Sequence, residues 1–113
     1  MSELFNYPPL VSIILPTYNR ALCIDRAVSS VICQTLTDWE LIIIDNNSTD
    51  NTVKLIDNFI DERISITKIE NNGIVASSRN LGIKLASGTF VAFLDSDDWW
   101  LPEKLEIAVS ALQ

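Results

Sequence analysis

Four short runs with strand character alternate along this chain with four segments of helical pattern, and this alternation limits the fold more than any other feature. The strand-like runs lie at residues 11–15, 41–44, 64–69 and 89–95. The first two are almost wholly apolar, which is typical of strands covered on both faces of a parallel sheet. With right-handed crossovers, the order predicts an α/β fold: a Rossmann-like parallel sheet with helices on both faces.

Each predicted helix has a local signal. Apolar residues recur at helical spacing in segment 20–34, and a second segment that runs to about Ile60 places Val53, Ile56 and Ile60 on one face. Ser48 or Asp50 is expected to cap that second helix. Segment 74–86 is the third predicted helix, and 103–112, with Pro102 as its first residue, is the fourth. Residues 1–9 form a lead-in that ends in two prolines, and the run at 64–69 is expected to be the less buried strand.

Composition excludes several functions. The 113 residues suit one domain covering 1–113, and 48% of them are apolar. The net charge of −7 makes nucleic acid an unlikely partner, because binding a phosphate backbone needs clustered Lys and Arg. The chain has no histidine, which excludes a Ser-His-Asp type of triad and argues against a catalytic zinc.

The two cysteines fit a reducing compartment. Cys23 and Cys33 are ten residues apart in one helical pattern, so buried free thiols are expected instead of a disulfide or a metal-binding pair. No signal peptide and no transmembrane run is recognised. We therefore expect a cytoplasmic location, either free in the cytoplasm or at the inner face of the membrane.

Three polar clusters, at 16–20, 45–50 and 95–98, follow predicted strands. Ligands of open parallel sheets bind beyond the carboxyl ends of the strands, so the three clusters are expected to converge. In the last cluster Asp95, Asp97 and Asp98 place three carboxylates within four residues. Such a set suits Mg²⁺ or Mn²⁺ carrying a diphosphate, although an acidic surface loop that caps the next helix is an equal alternative at this point.

The turn after the first strand contains no glycine, which disfavours a dinucleotide-binding loop and a Walker A loop. In this turn Tyr18 could stack on a flat base and Thr17 could donate a hydrogen bond to it; the alternative is a tyrosine that packs on the edge of the sheet. Arg20 and Arg79 are the cations best placed for phosphates, or else form surface ion pairs.

Two further features have alternatives of equal or greater weight. Asp45 ends an apolar run, where it could accept a hydrogen bond from a base or a ribose, or simply cap the turn. Trp99 and Trp100 are expected to shield the site and pack beneath the last helix, with sugar stacking as the minority alternative.

Taken together, the motifs resemble those of the family 2 glycosyltransferases, in order and spacing, over about residues 10–105. The matching segments are PTYNR at 16–20, ELIIIDNNSTD at 40–50, NG at 72–73 with SRNLG at 78–82, FLDSDD at 93–98 and LPEKL at 101–105. Five motifs in register are far more specific than a lone D-x-D. The resemblance implies a GT-A fold that binds a nucleotide-diphosphate sugar, with a UDP-sugar expected, and transfers the sugar with inversion.

The resemblance also assigns roles. Tyr18 would stack on the base, Asp45 would hydrogen-bond it, and Arg79, with Arg20 nearby, would hold the base and diphosphate side. Asp97 would be the main ligand of Mn²⁺ or Mg²⁺, and Asp95 would bind the ribose or the metal, with Asp98 a weaker candidate. The substrate-binding set implied in this way is Pro16, Thr17, Tyr18, Arg20, Asp45, Arg79, Asp95, Ser96 and Asp97.

Two departures from the family pattern affect these expectations. The turn after Asp45 carries Asn46-Asn47 where the family commonly has Asp-Gly, and asparagine tolerates the left-handed backbone required there. Family members also continue for about another hundred residues, which hold the acceptor site and the general base. The chain is therefore expected to be the donor-binding half of an enzyme, without a catalytic base of its own, and to pair as a homodimer.

Three alternatives stay open from the sequence. The chain could be a binding module for nucleotide sugars without catalysis, or a structural fragment without a ligand. A nucleotidyltransferase is the enzymatic alternative, but it would be expected to carry a Gly-rich basic loop after the first strand, and no such loop is present.

Overall fold

The computed structural model describes residues 8–113. Its elements follow the order β1 (Val11–Thr17), α1 (Ile24–Ile32), β2 (Trp39–Asn46), α2 (Thr52–Asp57), β3 (Ile64–Ile69), α3 (Val75–Leu85), β4 (Phe90–Phe93) and α4 (Lys104–Leu112). The predicted alternation of strands and helices is confirmed. The predicted lead-in at 1–9 lies outside the described residues except for its two prolines.

The four strands form one parallel sheet in the order β3-β2-β1-β4. β1 is central: Val11 is in register with Trp39 of β2 on one side and with Phe90 of β4 on the other. The predicted parallel α/β sheet is therefore confirmed. β3 lies at one edge and is only partly buried, as its irregular pattern predicted.

The main core lies on one face of the sheet. Alternate residues of β1 and β2 point to this face, because side chains of a strand alternate with a period of two. They pack against the apolar stripe of α1 and against buried side chains of α2 and α4. The core is formed by Val11, Ile13, Leu15, Ile24, Ala27, Val28, Val31, Trp39, Leu41, Ile43, Ile56, Leu94, Leu105 and Val109.

Helix α3 covers the opposite face, over β1 and β2. Only Ser78 and Gly82 of this helix are buried, so small residues let its backbone come close to the sheet. A Cβ at Gly82 would overlap the side chain of Ile14. Helices thus cover both faces, as predicted.

Strand β1 extends beyond the predicted stop at Pro16 and reaches Thr17. The pairing of β1 with β4 ends at Ile14, so Pro16 has a strand partner on one side only. A proline lacks the amide N–H of a ladder hydrogen bond and is tolerated where one edge of a strand is unpaired. β2 is likewise longer than predicted, whereas β4 is shorter.

The helices are shorter than their patterns predicted. α1 starts at Ile24 because residues 20–23 form a turn, in which Cys23 and Ile24 donate to the carbonyl of Arg20. α2 ends at Asp57, so the predicted position of Ile60 on its buried face is wrong: Ile60 is 98% exposed. α4 starts at Lys104, and Pro102 is not its first residue but accepts a hydrogen bond from the amide of Thr35.

Both cysteines are free thiols, as expected. The prediction that they are buried is wrong for Cys33, which is exposed beyond the end of α1, while Cys23 is partly exposed.

Of the two residues predicted to cap α2, Asp50 and not Ser48 bonds to its first residue: the carboxylate of Asp50 accepts a hydrogen bond from the amide of Thr52. No helix within residues 8–113 is long and apolar enough to cross a membrane.

Candidate functional site

The three polar clusters meet at the carboxyl ends of β1, β2 and β4, as the topology predicted. They surround an open pocket of about 390 Å³ that also reaches the start of α3. Its lining residues are Pro16, Thr17, Tyr18, Arg20, Asn46, Gly73, Val75, Ser78, Asp95, Ser96 and Asp97. Seven of the nine predicted substrate-binding residues are therefore brought together; Asp45 and Arg79 lie beside the pocket.

Asn19 ties the β1–α1 loop to the β2–α2 loop. Its backbone is left-handed, with φ of 48°, a conformation that asparagine tolerates better than most residues. Its amide N–H donates to Oγ of Ser48 at 2.9 Å, and its Oδ1 accepts from the amide of Thr49 at 2.8 Å. This clamp fixes the turn that carries Tyr18.

A second set of hydrogen bonds continues the clamp. The amide of Arg20 donates to Oγ1 of Thr52 at 2.8 Å, and the amide of Ala21 donates to the carboxylate of Asp50 at 3.2 Å. The Thr52 hydroxyl in turn donates to Asp50, and this bond lowers the pKa of the Asp50 carboxyl. Two loops more than twenty residues apart thus form one rigid wall of the pocket.

Thr17 and Tyr18 present different surfaces to the pocket. Within residues 8–113 the buried hydroxyl of Thr17 has no hydrogen-bond partner, although a buried polar group normally has one. Tyr18 is 51% exposed. Thr17 therefore has a free hydroxyl that can bond to a ligand, and Tyr18 has an exposed aromatic ring on which a ligand can stack.

Asp45 and Asn46 have opposite orientations, because they are consecutive residues of β2. Asp45 is 1% exposed, and its two carboxylate oxygens accept from the amide and the hydroxyl of Ser48, at 3.0 and 2.6 Å. Asn46 lines the pocket instead. The first of these two residues organises its own turn, and the second faces the ligand space.

Asn46 also joins the main pocket to a neighbouring polar recess of about 310 Å³, which is bounded by Asn47, Glu70 and Asn72. The Oδ1 atom of Asn46 accepts from the amide of Asn71 at 2.9 Å, which fixes the orientation of its side-chain amide. Asn47 and Asn72 both have left-handed backbones, with φ of 57° and 58°. The turn after Asp45 is thus formed without a glycine, as predicted.

The acidic cluster consists of Asp95, Asp97 and Asp98, whose nearest carboxylate oxygens lie within 4.8 Å of one another. All three side chains are exposed, whereas Ser96 between them is buried. The amide of Asp98 donates to the carbonyl of Asp95 at 2.9 Å, so the three aspartates lie in one tight turn. A set of oxygen ligands of this kind fits a hard divalent cation.

Arg79 lies next to this cluster. Its Nη2 atom is 2.9 Å from Oδ1 of Asp95, and its guanidinium is 5.6 Å from the ring centroid of Phe93. Its buried Nε atom has no partner among the described residues. Arg20, the other cation that was predicted to meet phosphates, lines the pocket itself.

Trp99 and Trp100 differ in their surroundings. Trp100 packs against the core, as expected, while Trp99 is half exposed and lies 5.9 Å from the guanidinium of Arg26. Both line a shallow apolar groove along α4, which includes Leu101 and Ile107. Arg26 also donates a long, 3.5 Å hydrogen bond to the carbonyl of Asp97.

Sequence reasoning missed several residues that line the pocket. The sequence motifs predict Asn46 only as part of a turn, and they predict no site residue on the pocket side of α3, where Val75 and Ser78 lie. The signal for Asn46 was available: it continues the alternation of Ile42 and Ile44 on the face of the sheet that α3 covers. The role of Asn19 depends on contacts between distant loops and has no comparable signal.

The sequence profile of the family described as "Glycosyl transferase family 2" matches residues 12–113. One similar protein is the UDP-Glc:alpha-D-GlcNAc-diphosphoundecaprenol beta-1,3-glucosyltransferase WfgD of Escherichia coli, with 46% identity over 103 residues, 91% of this chain and 41% of the relative. The chain thus spans well under half the length of this relative.

Solved structures of glycosyltransferases also match the fold of this chain. The crystal structure of S. aureus TarS 1-349 in complex with UDP-GlcNAc matches 89% of this chain and 30% of the TarS chain, with a TM-score of 0.84 and 30% identity. The mannosyltransferase PcManGT of Pyrobaculum calidifontis, in complex with GDP-Man and Mn²⁺, matches 95% of this chain and 33% of its own, with a TM-score of 0.83 and 28% identity.

Proposed function

Because this chain belongs to glycosyl transferase family 2, we propose that it binds the nucleotide-diphosphate sugar from which a glycosyl group is transferred. The observation that carries the proposal is the convergence of an exposed aromatic ring, an unpartnered buried hydroxyl and an acidic cluster around one pocket, at Tyr18, Thr17 and residues 95–98. A donor of this class has a flat base, a polar ribose and a charged diphosphate, and each has a matching surface there.

We place the base near Tyr18, with the ring as its stacking surface. The free hydroxyl of Thr17 and the amide of Asn46 are the groups that we assign to its polar edge. Asp45 then supports the base site indirectly, by holding the turn through Ser48. We propose a uridine nucleotide, because WfgD is named for UDP-Glc and the TarS complex contains UDP-GlcNAc.

We assign the diphosphate to the side of the pocket that holds Arg20, Arg79 and the acidic cluster. Asp97 and Asp95 would hold a divalent cation, Mn²⁺ or Mg²⁺, with Asp98 within reach. Bound there, the ion would offset the negative charge on the departing diphosphate. PcManGT, which was solved with Mn²⁺, supports the choice of ion.

The acceptor that we propose is a lipid-linked saccharide, as in the name of WfgD, which would bring the chain to the inner face of the membrane. Transfer with inversion needs a base on the face of the sugar opposite the diphosphate. The three aspartates of the cluster lie on the metal side, and we assign no such base within residues 8–113. We also propose that copies of the chain pair through the exposed apolar surface beside β4.

Calorimetry of the chain with UDP, GDP and dTDP, each with and without Mn²⁺, tests the donor proposal. We expect the strongest binding for UDP with Mn²⁺, and a loss of binding in Tyr18→Ala. Leu22→Ala is the matched control, since Leu22 is a fully exposed side chain outside the pocket lining. Binding of UDP that a chelator leaves unchanged would refute the metal assignment, and a preference for GDP would refute the uridine assignment.

A further inference from the structure

Arg79 and a divalent cation would compete for the same carboxylate. The guanidinium of Arg79 lies 2.9 Å from Oδ1 of Asp95 and pairs with it. The remaining carboxylates of the cluster, those of Asp97 and Asp98, have no ion-pair partner among the described residues. Of the three possible metal ligands, one is thus already paired with a positive charge.

Besides the ion pair, Arg79 has, within residues 8–113, one aromatic contact and one unused hydrogen-bond donor. The guanidinium lies 5.6 Å from the ring of Phe93, and the Nε atom is buried without a partner. A guanidinium can donate to two oxygens at once, and a diphosphate offers such a pair of oxygens. Arg79 therefore pairs with Asp95, and a diphosphate could replace Asp95 as the partner of its guanidinium.

We propose that Arg79 is a positioning residue that withholds Asp95 from the divalent cation until a nucleotide diphosphate takes over the guanidinium. The inference rests on the proposed donor function. In the free chain the ion pair keeps metal affinity low, because Arg79 occupies one ligand and its charge weakens the field of the other two. Metal and nucleotide then bind cooperatively, and each raises the affinity for the other by the same factor.

Titration of the nucleotide-free chain with Mn²⁺, followed by the electron paramagnetic resonance signal of the free ion, tests the first consequence. Arg79→Gln should bind Mn²⁺ about threefold to tenfold more tightly than the unmodified chain, as expected for removal of one nearby charge in a partly exposed site. Lys84→Gln removes the same charge from an exposed position of the same helix and should have little effect. Circular dichroism of each variant checks the fold.

Asp95→Asn distinguishes two explanations for the effect of Arg79: that it keeps Asp95 from binding the metal, or that its charge merely repels the metal. If Arg79 withholds Asp95, the substitution should weaken Mn²⁺ binding only slightly in the unmodified chain. It should weaken binding about tenfold in the Arg79→Gln background, where Asp95 is a ligand. Equal losses in both backgrounds would mean that Arg79 acts through space alone, and would overturn the proposal.

The same titration with saturating UDP tests the coupling. UDP should raise the affinity for Mn²⁺ more in the unmodified chain than in Arg79→Gln, since the variant has no ion pair to release. An Arg79→Gln affinity for Mn²⁺ that is unchanged or weaker overturns this inference but leaves the donor proposal intact, provided that UDP still binds with Mn²⁺. If no variant binds Mn²⁺ with or without UDP, both the metal assignment and this inference are wrong.

Discussion

At the scale of single residues, Asn19 connects the β1–α1 loop with the β2–α2 loop beside the pocket. Its amide donates to Ser48 and its side-chain oxygen accepts from the amides of Thr49 and Asp50, while its backbone is left-handed. Asn19→Ala removes the side-chain bonds and places alanine in an unfavourable conformation, so we expect a loss of about 1–3 kcal/mol in the free energy of unfolding. Urea denaturation measures this loss, and calorimetry should show weaker UDP binding.

Asn19→Gly is the matched control for that prediction. Glycine accepts the left-handed conformation, so this variant loses only the side-chain hydrogen bonds. We expect it to be more stable than Asn19→Ala but less stable than the unmodified chain. Equal stability of Asn19→Gly and the unmodified chain would show that the side-chain bonds of Asn19 to the β2–α2 loop contribute nothing to stability.

The ion pair of Asp61 with Arg63 gives the fold an acid-sensitive contribution. Arg63 donates to both carboxylate oxygens and lies 3.7 Å from the ring centroid of Trp39, and its hydrogen bond lowers the pKa of Asp61. A lowered folded-state pKa stabilises the fold above the unfolded value of about 3.9, and this stabilisation is lost as the pH falls. Since both side chains are partly exposed, it should stay below about 1 kcal/mol.

Asp61→Asn tests this pH dependence. The variant should be less stable than the unmodified chain at pH 7, and the difference should shrink as the pH falls below about 4. Urea unfolding followed by tryptophan fluorescence at pH 7 and pH 2.5 gives the two differences. A difference in stability that is the same at pH 7 and pH 2.5 would mean that the carboxylate charge is not its cause.

Residue roles were predictable only in part. The motifs predicted that residues 16–20, 45–50 and 95–98 form one site, and the structure brings these residues together. The assignment of Asp45 to the base stays untested, and the structure shows both of its oxygens bonded to Ser48. A motif identifies which segment forms a site, but the direction of each side chain depends on where its strand ends and on the register of that strand. The sequence predicts that β1 ends before Pro16, whereas the strand continues to Thr17.

At the scale of elements, α3 approaches the sheet through Gly82. Because a Cβ there would overlap Ile14, which is fully buried, Gly82→Ala should destabilise the fold by about 1–3 kcal/mol despite its better helix propensity. The Gly82→Ala/Ile14→Ala double variant should lose less stability than the sum of the single variants, since the smaller side chain makes room. Additive losses in thermal or urea unfolding would contradict this close packing.

Element types were predictable because the apolar runs of β1 and β2 are too short for a buried helix and are typical of strands in a sheet covered on both faces. The ends of the helices were less predictable. The pattern of α2 extends to Ile60, but the chain turns away after Asp57, and Phe59 packs against the core in place of Ile60. Periodicity locates a helix, whereas tertiary contacts decide where it ends.

At the scale of the whole molecule, the outer side of β4 is the surface most suited to self-association. Its apolar side chains on the α3 face, Val91 and Phe93, are 42% and 44% exposed, and Ile83 of α3 is 47% exposed. Exposed apolar surface beside a strand edge favours pairing with a second copy. Sedimentation velocity should show a concentration-dependent dimer that Val91→Glu weakens, whereas Ile60→Glu, at an exposed site in the α2–β3 connection, should not.

A persistent monomer at high concentration would contradict that prediction. An equal effect of Val91→Glu and Ile60→Glu would point to net charge instead of a specific surface. The chain already carries a net charge of −7, so each added carboxylate increases the general repulsion between copies.

The central place of β1 in the sheet also has a consequence for how the chain is made. One side of β1 pairs with β2, which follows it closely in the sequence. The other side can pair only after β4, which begins at Phe90, has been synthesised. A ribosome working at about 5–20 residues per second needs roughly 4–15 seconds to synthesise the roughly seventy residues in between. During that interval the nascent chain has an apolar strand with one open edge. Slower synthesis at low temperature prolongs this exposure, and a chaperone that binds extended apolar segments should raise the yield of folded chain.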